Sequence, residues 1–247
     1  MRSMQKHLSS LIIIIITVCL ASSCKKAVVR HTNSLPAGSG PGAQVLVDAS
    51  RDGGIWWSPQ VGPYDPDKPH AGAALINYVK HLGYSVKELE VGAVITRELL
   101  QQYKFVIRAG GDGSYSPAEM DAYRVFLRSN TAMLLINGPQ RNAPTDQLAL
   151  YLGLKFEGPY TGTITAFTGH PITAGVSSLN YTAGSVIFKP DSTVVTSLAY
   201  FSNASFQNAT ALGILSYPGS RIVFVGDVNA LELVSQPLTD NLFRWLF

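Results

Sequence analysis

Three titratable side chains stand where an α/β chain would place chemistry. Asp48 closes the apolar run Val45-Leu46-Val47, Asp227 follows the run Ile222–Val225, and His170 sits on the turn Gly169-His170-Pro171. An imidazole titrates near pH 6.5, which suits acid and base work, and a carboxylate suits a ligand or a catalytic role. Together these three would serve a hydrolase acting on a glycan. Each also has a plainer use. Asp48 and Asp227 can cap the N–H groups of the loops that follow them, and His170 can hold a His-Pro turn.

Further polar residues gather at the same positions in the pattern. Ser50, Arg51, Asp52, Trp56 and Trp57 follow Asp48, Arg108 and Asp112 close the next apolar run but one, and Asn137 and Arg141 follow Ala132–Ile136. They form the candidate ligand-binding set. A flat indole beside Arg and Asp can stack on a sugar ring while polar groups bond its hydroxyls. Alternatively, Trp56 and Trp57 plug their loop onto the sheet. Asp48, Asp52, His70 and Asp227 have no diagnostic metal-ligand spacing, so no metal is expected. Gly110-Gly111-Asp112-Gly113 lacks the lysine and longer glycine pattern of a phosphate loop, and no cofactor is expected.

The elements that must position these groups alternate. Gln44–Asp48, Tyr84–Leu89, Lys104–Ala109 and Ala132–Ile136 read as strands, the first, third and fourth of them apolar almost throughout. Between them, His70–Leu82, Thr96–Gln102 and Pro117–Arg128 read as helices, and Thr145–Leu152 follows as another. Ser116-Pro117-Ala118-Glu119 is a helix start, with a capping serine, proline in the first turn and glutamate at the capping-box position. Nearly all-apolar strands belong to a parallel sheet covered on both faces. The second half is richer in strands, near Gly162–Thr168, Ser185–Phe188, Val194–Ala199, Ala211–Tyr217 and Arg221–Val225, and Pro237–Leu246 closes the chain as a helix. The expected fold is α/β: a flavodoxin-like three-layer sandwich with a parallel central sheet and a C-terminal antiparallel β extension.

The order of the segments VLVDAS, HLGYSVKEL, YSPAEMDAYRVFL, TAMLLING, GHPITAGV and RIVFVGDVNAL, ending in DNLFRWL, resembles the class I glutamine amidotransferase-like superfamily. It is similar above all to noncatalytic or uncharacterised envelope branches near the trehalose-utilisation-protein family. The resemblance covers nearly the whole domain and implies its fold. In active amidotransferases a cysteine stands on the tight turn after a central strand; the matching place here holds Asn137-Gly138-Pro139. The late histidine is also missing, since none follows His170. Thiol-based glutamine hydrolysis is therefore not expected.

The N-terminus carries a different signal. Arg2 and Lys6 precede an apolar stretch, Leu11–Leu20, and small residues Ala21-Ser22-Ser23 lead to Cys24. Ten helical residues rise about 15 Å, too short to span a bilayer. The pattern resembles a lipoprotein signal of the Bacteroidetes type, with Ala21 where a leucine is usual and Cys24 as the lipidated residue. The expected organisation is a signal peptide over 1–23, a flexible tether over 24–42 and one domain over 43–247. Both cysteines, Cys19 and Cys24, lie in this region, so the domain has no thiol for catalysis or a disulfide. Losing Arg2 and Lys6 with the signal lowers the formal charge from +3 to +1, and no basic run argues for nucleic acid.

These observations point to an envelope lipoprotein, lipid-anchored at the outer membrane, with a noncatalytic domain that binds a glycan or an envelope protein. The alternatives are the glycan hydrolase already named and an interaction scaffold in an envelope complex.

Overall fold

The computed structural model describes residues 43–52, 55–110, 114–138, 146–232 and 237–247. Cys24, the signal and tether segments, Asp112 and Arg141 lie outside the described residues. The chain is α/β. Its order is β1 (Gln44–Asp48), α1 (Ala73–His81), β2 (Ser85–Leu89), α2 (Arg97–Leu100), β3 (Phe105–Ala109), α3 (Pro117–Phe126), β4 (Thr131–Ile136) and α4 (Gln147–Tyr151), followed by β5 (Phe156–Ile164) and β6 (Ala166–Phe167). A 3-10 turn, Pro171–Thr173, leads to β7 (Leu179–Ile187), β8 (Val195–Phe201), β9 (Ala209–Tyr217), β10 (Ser220–Val225), α5 (Asn229–Glu232) and α6 (Pro237–Leu246).

One mixed sheet runs in the order β2-β1-β3-β4-β10-β9-β7-β5, with β8 joined to β9 and β6. From β2 to β10 every pairing is parallel; from β10 onward every pairing is antiparallel. The antiparallel strands β5 to β9 lie between β4 and β10 in sequence, so the last strand returns to the parallel half. They are not a C-terminal addition.

Strand alternation explains the core. Val45 and Val47 of β1 join a cluster with α1 and α6, whereas Leu46 joins a second cluster with α3 and α4. The same division runs through β3, β4 and β10, so apolar residues on both sides are buried, as near-continuous apolar strands require. Thr96 caps α2 and Ser116 caps α3, where Ser116 and Glu119 complete the capping box read from the sequence. α6 buries Leu238, Leu242, Phe243 and Leu246, at helical spacing.

The antiparallel half was only partly legible. β5 begins at Phe156 and β7 at Leu179, well before the expected Gly162 and Ser185. Gly and Thr fill much of β5 between buried Phe156 and Ile164, and Asn180 and Thr182 alternate with buried Leu179 and Tyr181 in β7, which dilutes the apolar signal. β5 curls back across β8: a Cβ on Gly162 would stand 3.1 Å from the Phe201 ring, although the two strands are not sheet neighbours.

The two halves meet at Gly226. Ser185 N–H donates to the Gly226 carbonyl at 2.7 Å, and Gly226 N–H donates to the Ala211 carbonyl at 3.0 Å. A Cβ on Gly226 would lie 1.7 Å from the Ser185 carbonyl oxygen, so no other residue fits without moving backbone. Gly226→Ala is expected to cost about 3 kcal/mol or more, at the severe end for overpacking. Gly169→Ala, where a Cβ meets nothing within 4 Å, should stay near wild type. Urea unfolding of the two variants checks this; equal stabilities would refute the tight crossing.

Candidate functional site

In open α/β sheets, ligands bind beyond the C-terminal ends of the parallel strands. Here that edge carries the ends of β1, β3, β4 and β10, where Asp48, Arg108, Asn137 and Asp227 stand; His170 lies apart, against Trp245 of α6. What they do there differs from one to the next.

Asp48 turns towards α3 and is completely buried. One carboxylate oxygen accepts from Ser50 N–H at 2.9 Å and Ser50 Oγ at 2.5 Å. The other accepts from the hydroxyls of Tyr115, at 2.6 Å, and Tyr123. Arg108, its register partner on β3, is also completely buried. Its Nη1 donates to Asp146 Oδ2 at 2.5 Å, and its Nε reaches Tyr115 Oη at 3.5 Å. Burial alone would weaken the guanidinium's hold on its proton, but Asp146, Tyr115 and Asp48 outweigh that and raise its pKa. Burial, with Asp48 beside them, pushes both tyrosine hydroxyls above their ordinary range. They therefore serve Asp48 as neutral donors. Asp146 in turn caps α4 by accepting from Ala149 N–H at 3.0 Å.

Arg51 lies above this network. Its Nη2 donates to both carboxylate oxygens of Glu119, at 2.8 and 2.9 Å, and its guanidinium lies 5.0 Å from the centre of the Tyr115 ring. Burial would raise the Glu119 pKa. N–H groups of Ile95 and Ser116, the Ser116 hydroxyl and Arg51 overcome that and lower it.

The tryptophans take the second of the two readings open to them, the plug. Trp56 is 0 % and Trp57 2 % exposed, so neither offers a face to a sugar ring. Asp52 gathers the N–H groups of both residues. Trp56 Nε1 donates to Glu88 at 2.9 Å and Trp57 Nε1 to the Leu89 carbonyl at 3.2 Å. The Trp56 ring lies on Gly72, and Trp57 packs against His70 with centroids 4.9 Å apart. His70 Nε2 is 3.4 Å from Glu88, in a buried pair. The indoles plug the long loop onto β2, because their ring N–H groups find acceptors only on that side.

Asn137 stands at the end of β4, and its Oδ1 accepts from Gly138 N–H at 2.8 Å. The place is roofed. Ser185 Oγ donates to the Gly138 carbonyl at 2.6 Å, and Ile55 packs where a Cβ on Gly138 would go. Asp227 is buried and accepts from Thr182 N–H at 2.5 Å and from Asn229 N–H and Nδ2, each at 2.9 Å. It ties β7 to the turn after β10. His170 Nδ1 accepts from Ile172 N–H at 3.1 Å, and its ring meets Trp245 of α6. Partial burial lowers its pKa.

The three candidate acid–base groups do not come together. Register links Asp48 to Arg108, Arg108 to Leu135 and Leu135 to Phe224. β1 and β10 are therefore three strand spacings apart, about 14 Å. A pair of glycosidase carboxylates works at roughly 5–9.5 Å. His170 stands on the α6 side of the sheet, while Asp48 turns towards α3. Among the described residues, no three His, Cys, Asp or Glu side chains form a metal set.

The sequence reading missed Glu88, Tyr115, Glu119, Tyr123 and Asp146 as members of these networks. Asp146 had a visible signal, since an aspartate directly before Gln147-Leu148-Ala149 is a helix N-cap. The tyrosines had none, because helical spacing marks Tyr123 equally as core and Tyr115 stands in the loop before α3.

No family model matches the sequence, and no curated protein does either. Solved structures do match. A ThuA-like protein from Bacteroides uniformis superposes with a TM-score of 0.58 at 13% identity, covering 84% of this chain and 92% of its own. The chain has the fold of ThuA-like proteins. The N-terminal domain of mmIFT52 gives a TM-score of 0.60 at 15% identity, covering 83% and 97%. The carbohydrate deacetylase Agd3 gives 0.52 at 13% identity, covering 83% of this chain and 32% of that enzyme. At such identities the likeness is one of fold.

Two predictions test the site as built. Asp146→Ala should cost about 3–5 kcal/mol, because it strands a buried guanidinium. Arg108→Met with Asp146→Leu should recover part of that loss in urea unfolding, and an equal or larger loss would show that the pair is not the reason. Glu119→Gln should cost about 1–3 kcal/mol at pH 7. Because the folded-state pKa of Glu119 lies below its unfolded value, its contribution is present above the unfolded value. It fades as pH falls through the folded one. The gap between variant and wild type should therefore narrow from pH 6 to pH 3; a constant gap would refute the charge-based account.

Proposed function

We propose that this chain is an envelope lipoprotein, anchored at the outer membrane through lipid on Cys24, whose domain binds a carbohydrate without transforming it. Its frame is the flavodoxin-like three-layer sandwich of the amidotransferase superfamily. The observation that carries the noncatalytic reading is the roofed turn at Asn137, where Ser185 and Ile55 occupy the space in front of the place relatives give to a nucleophile. The scattered placement of Asp48, His170 and Asp227 supports it too, since each is committed to holding a loop or turn. Carbohydrate is favoured as the partner class by the fold it shares with a carbohydrate deacetylase and with ThuA-like proteins.

The test uses the full-length protein in detergent, screened against neutral, acidic and amino glycans by array and thermal shift. Saturable binding with the glycan recovered intact is expected. Product released beyond one equivalent would overturn the noncatalytic reading, and no binding to any glycan would leave an interaction scaffold in its place. In cells, Cys24→Ala should move the protein out of the membrane fraction; retention at the wild-type level would overturn the anchor.

A further inference from the structure

The buried tryptophans leave the stacking surface to be sought elsewhere, and the antiparallel half holds one. Tyr160 of β5, Phe188 just after β7 and Phe206 in the β8–β9 loop are half-buried rings that meet edge to face. Their centroids lie 4.9 Å apart for Tyr160–Phe206, 4.7 Å for Phe188–Phe206 and 6.2 Å for Tyr160–Phe188. Phe201 lies beneath them, 6.0 Å from both Tyr160 and Phe206. The rings close the mouth of the curl that β5 makes over β8.

This mouth opens at the functional edge. β9 runs antiparallel to β10, with Leu212 opposite Val225, so the loop before β9 projects past the C-terminal end of the parallel strands. The loop has a defined shape. Asn203 Oδ1 accepts from Ser205 N–H at 2.8 Å and Phe206 N–H at 3.1 Å, which fixes Phe206 against its neighbours.

The chemistry around the rings is unusual in one respect. Between Glu157 and Arg221 the only Asp, Glu, Lys or Arg residues are Lys189 and Asp191. The exposed rim of Thr161, Ser205, Gln207 and Asn208 offers hydroxyls and amides. From this stretch, which supplies both the rings and the rim, an anionic or cationic ligand would find only Asp191 and Lys189 as counter-charges. A neutral sugar would find what it needs: ring faces for its C–H surfaces and uncharged donors and acceptors for its hydroxyls.

We infer that the mouth formed by Tyr160, Phe188 and Phe206 is a binding site for a neutral oligosaccharide. The inference rests on the binding-module reading above and gives it a place and a ligand class. Full-length protein in detergent is titrated with neutral and uronate-containing oligosaccharides. Phe206→Leu keeps an apolar side chain but removes the ring face, and Phe206→Tyr restores it. Phe206→Leu should weaken neutral-glycan binding about tenfold at near-wild-type thermal stability, and Phe206→Tyr should return it. If the wild type binds a glycan and Phe206→Leu binds it equally well, this location falls while the binding module stands. Preference for the acidic glycans would overturn the neutral class. If no glycan binds to the wild type, both readings fall together.

Discussion

The crossing of β7 over the end of β10, at Gly226, governs the rest of the molecule. Only a glycine there lets the Ser185 backbone come within hydrogen-bond reach of the Gly226 carbonyl. Once β7 has come that close, Ser185 Oγ can reach the Gly138 carbonyl and close the turn at Asn137. Asp227, one residue on, can then reach Thr182 N–H and fix the strand from the other side. Further along the antiparallel half, register shifts in β5 accompany its approach to β8, where the aromatic rings gather. The close approach at Gly226 thus shuts the edge at β4.

A second constraint acts on the other side of the sheet. Asp48, Arg108 and Asp146 are charged groups taken out of water, and desolvation of such groups is costly unless each is fully bonded. The structure meets that condition for Asp48 with four donors: Ser50 twice, Tyr115 and Tyr123. A carboxylate so occupied has little left for a substrate. The edge where the fold offers chemistry is spent here on holding the first loop, α3 and α4 in register with the sheet.

Much of this was legible in the sequence, for physical reasons that differ by region. The parallel half was readable because strands buried on both faces need unbroken apolar runs, and the helices between them carry caps such as Ser116 and Glu119. Residues at the strand ends were also readable, since an α/β pattern fixes where a strand stops. Their roles were not. Whether Trp56 is a platform or a plug depends on Glu88, a residue on β2 that receives its N–H. Whether Asp48 is free depends on Tyr123, on a helix far along the chain. Such pairings are settled by tertiary contact, which no local spacing encodes. The antiparallel half was hardest, because its Thr, Gly and Asn residues weaken the alternation that announces a strand.

The composition that hid those strands bears on what they could recognise. A surface meant for charged partners gains long-range attraction from Lys, Arg, Asp and Glu. A surface that must match sugar hydroxyls gains more from groups that lose little on leaving water. Thr, Ser, Asn and Gln shed hydration at lower cost than an ion does, and each can both donate and accept. Half-buried rings already packed edge to face lose little side-chain freedom when a ligand covers them. The weak strand signal over Phe156–Tyr217 and the near-absence of charge there follow from the same residue choice: short uncharged polar side chains alternating with buried ones. In this chain, the region that reads most poorly as structure is also the one whose chemistry best fits a neutral polyhydroxylated ligand.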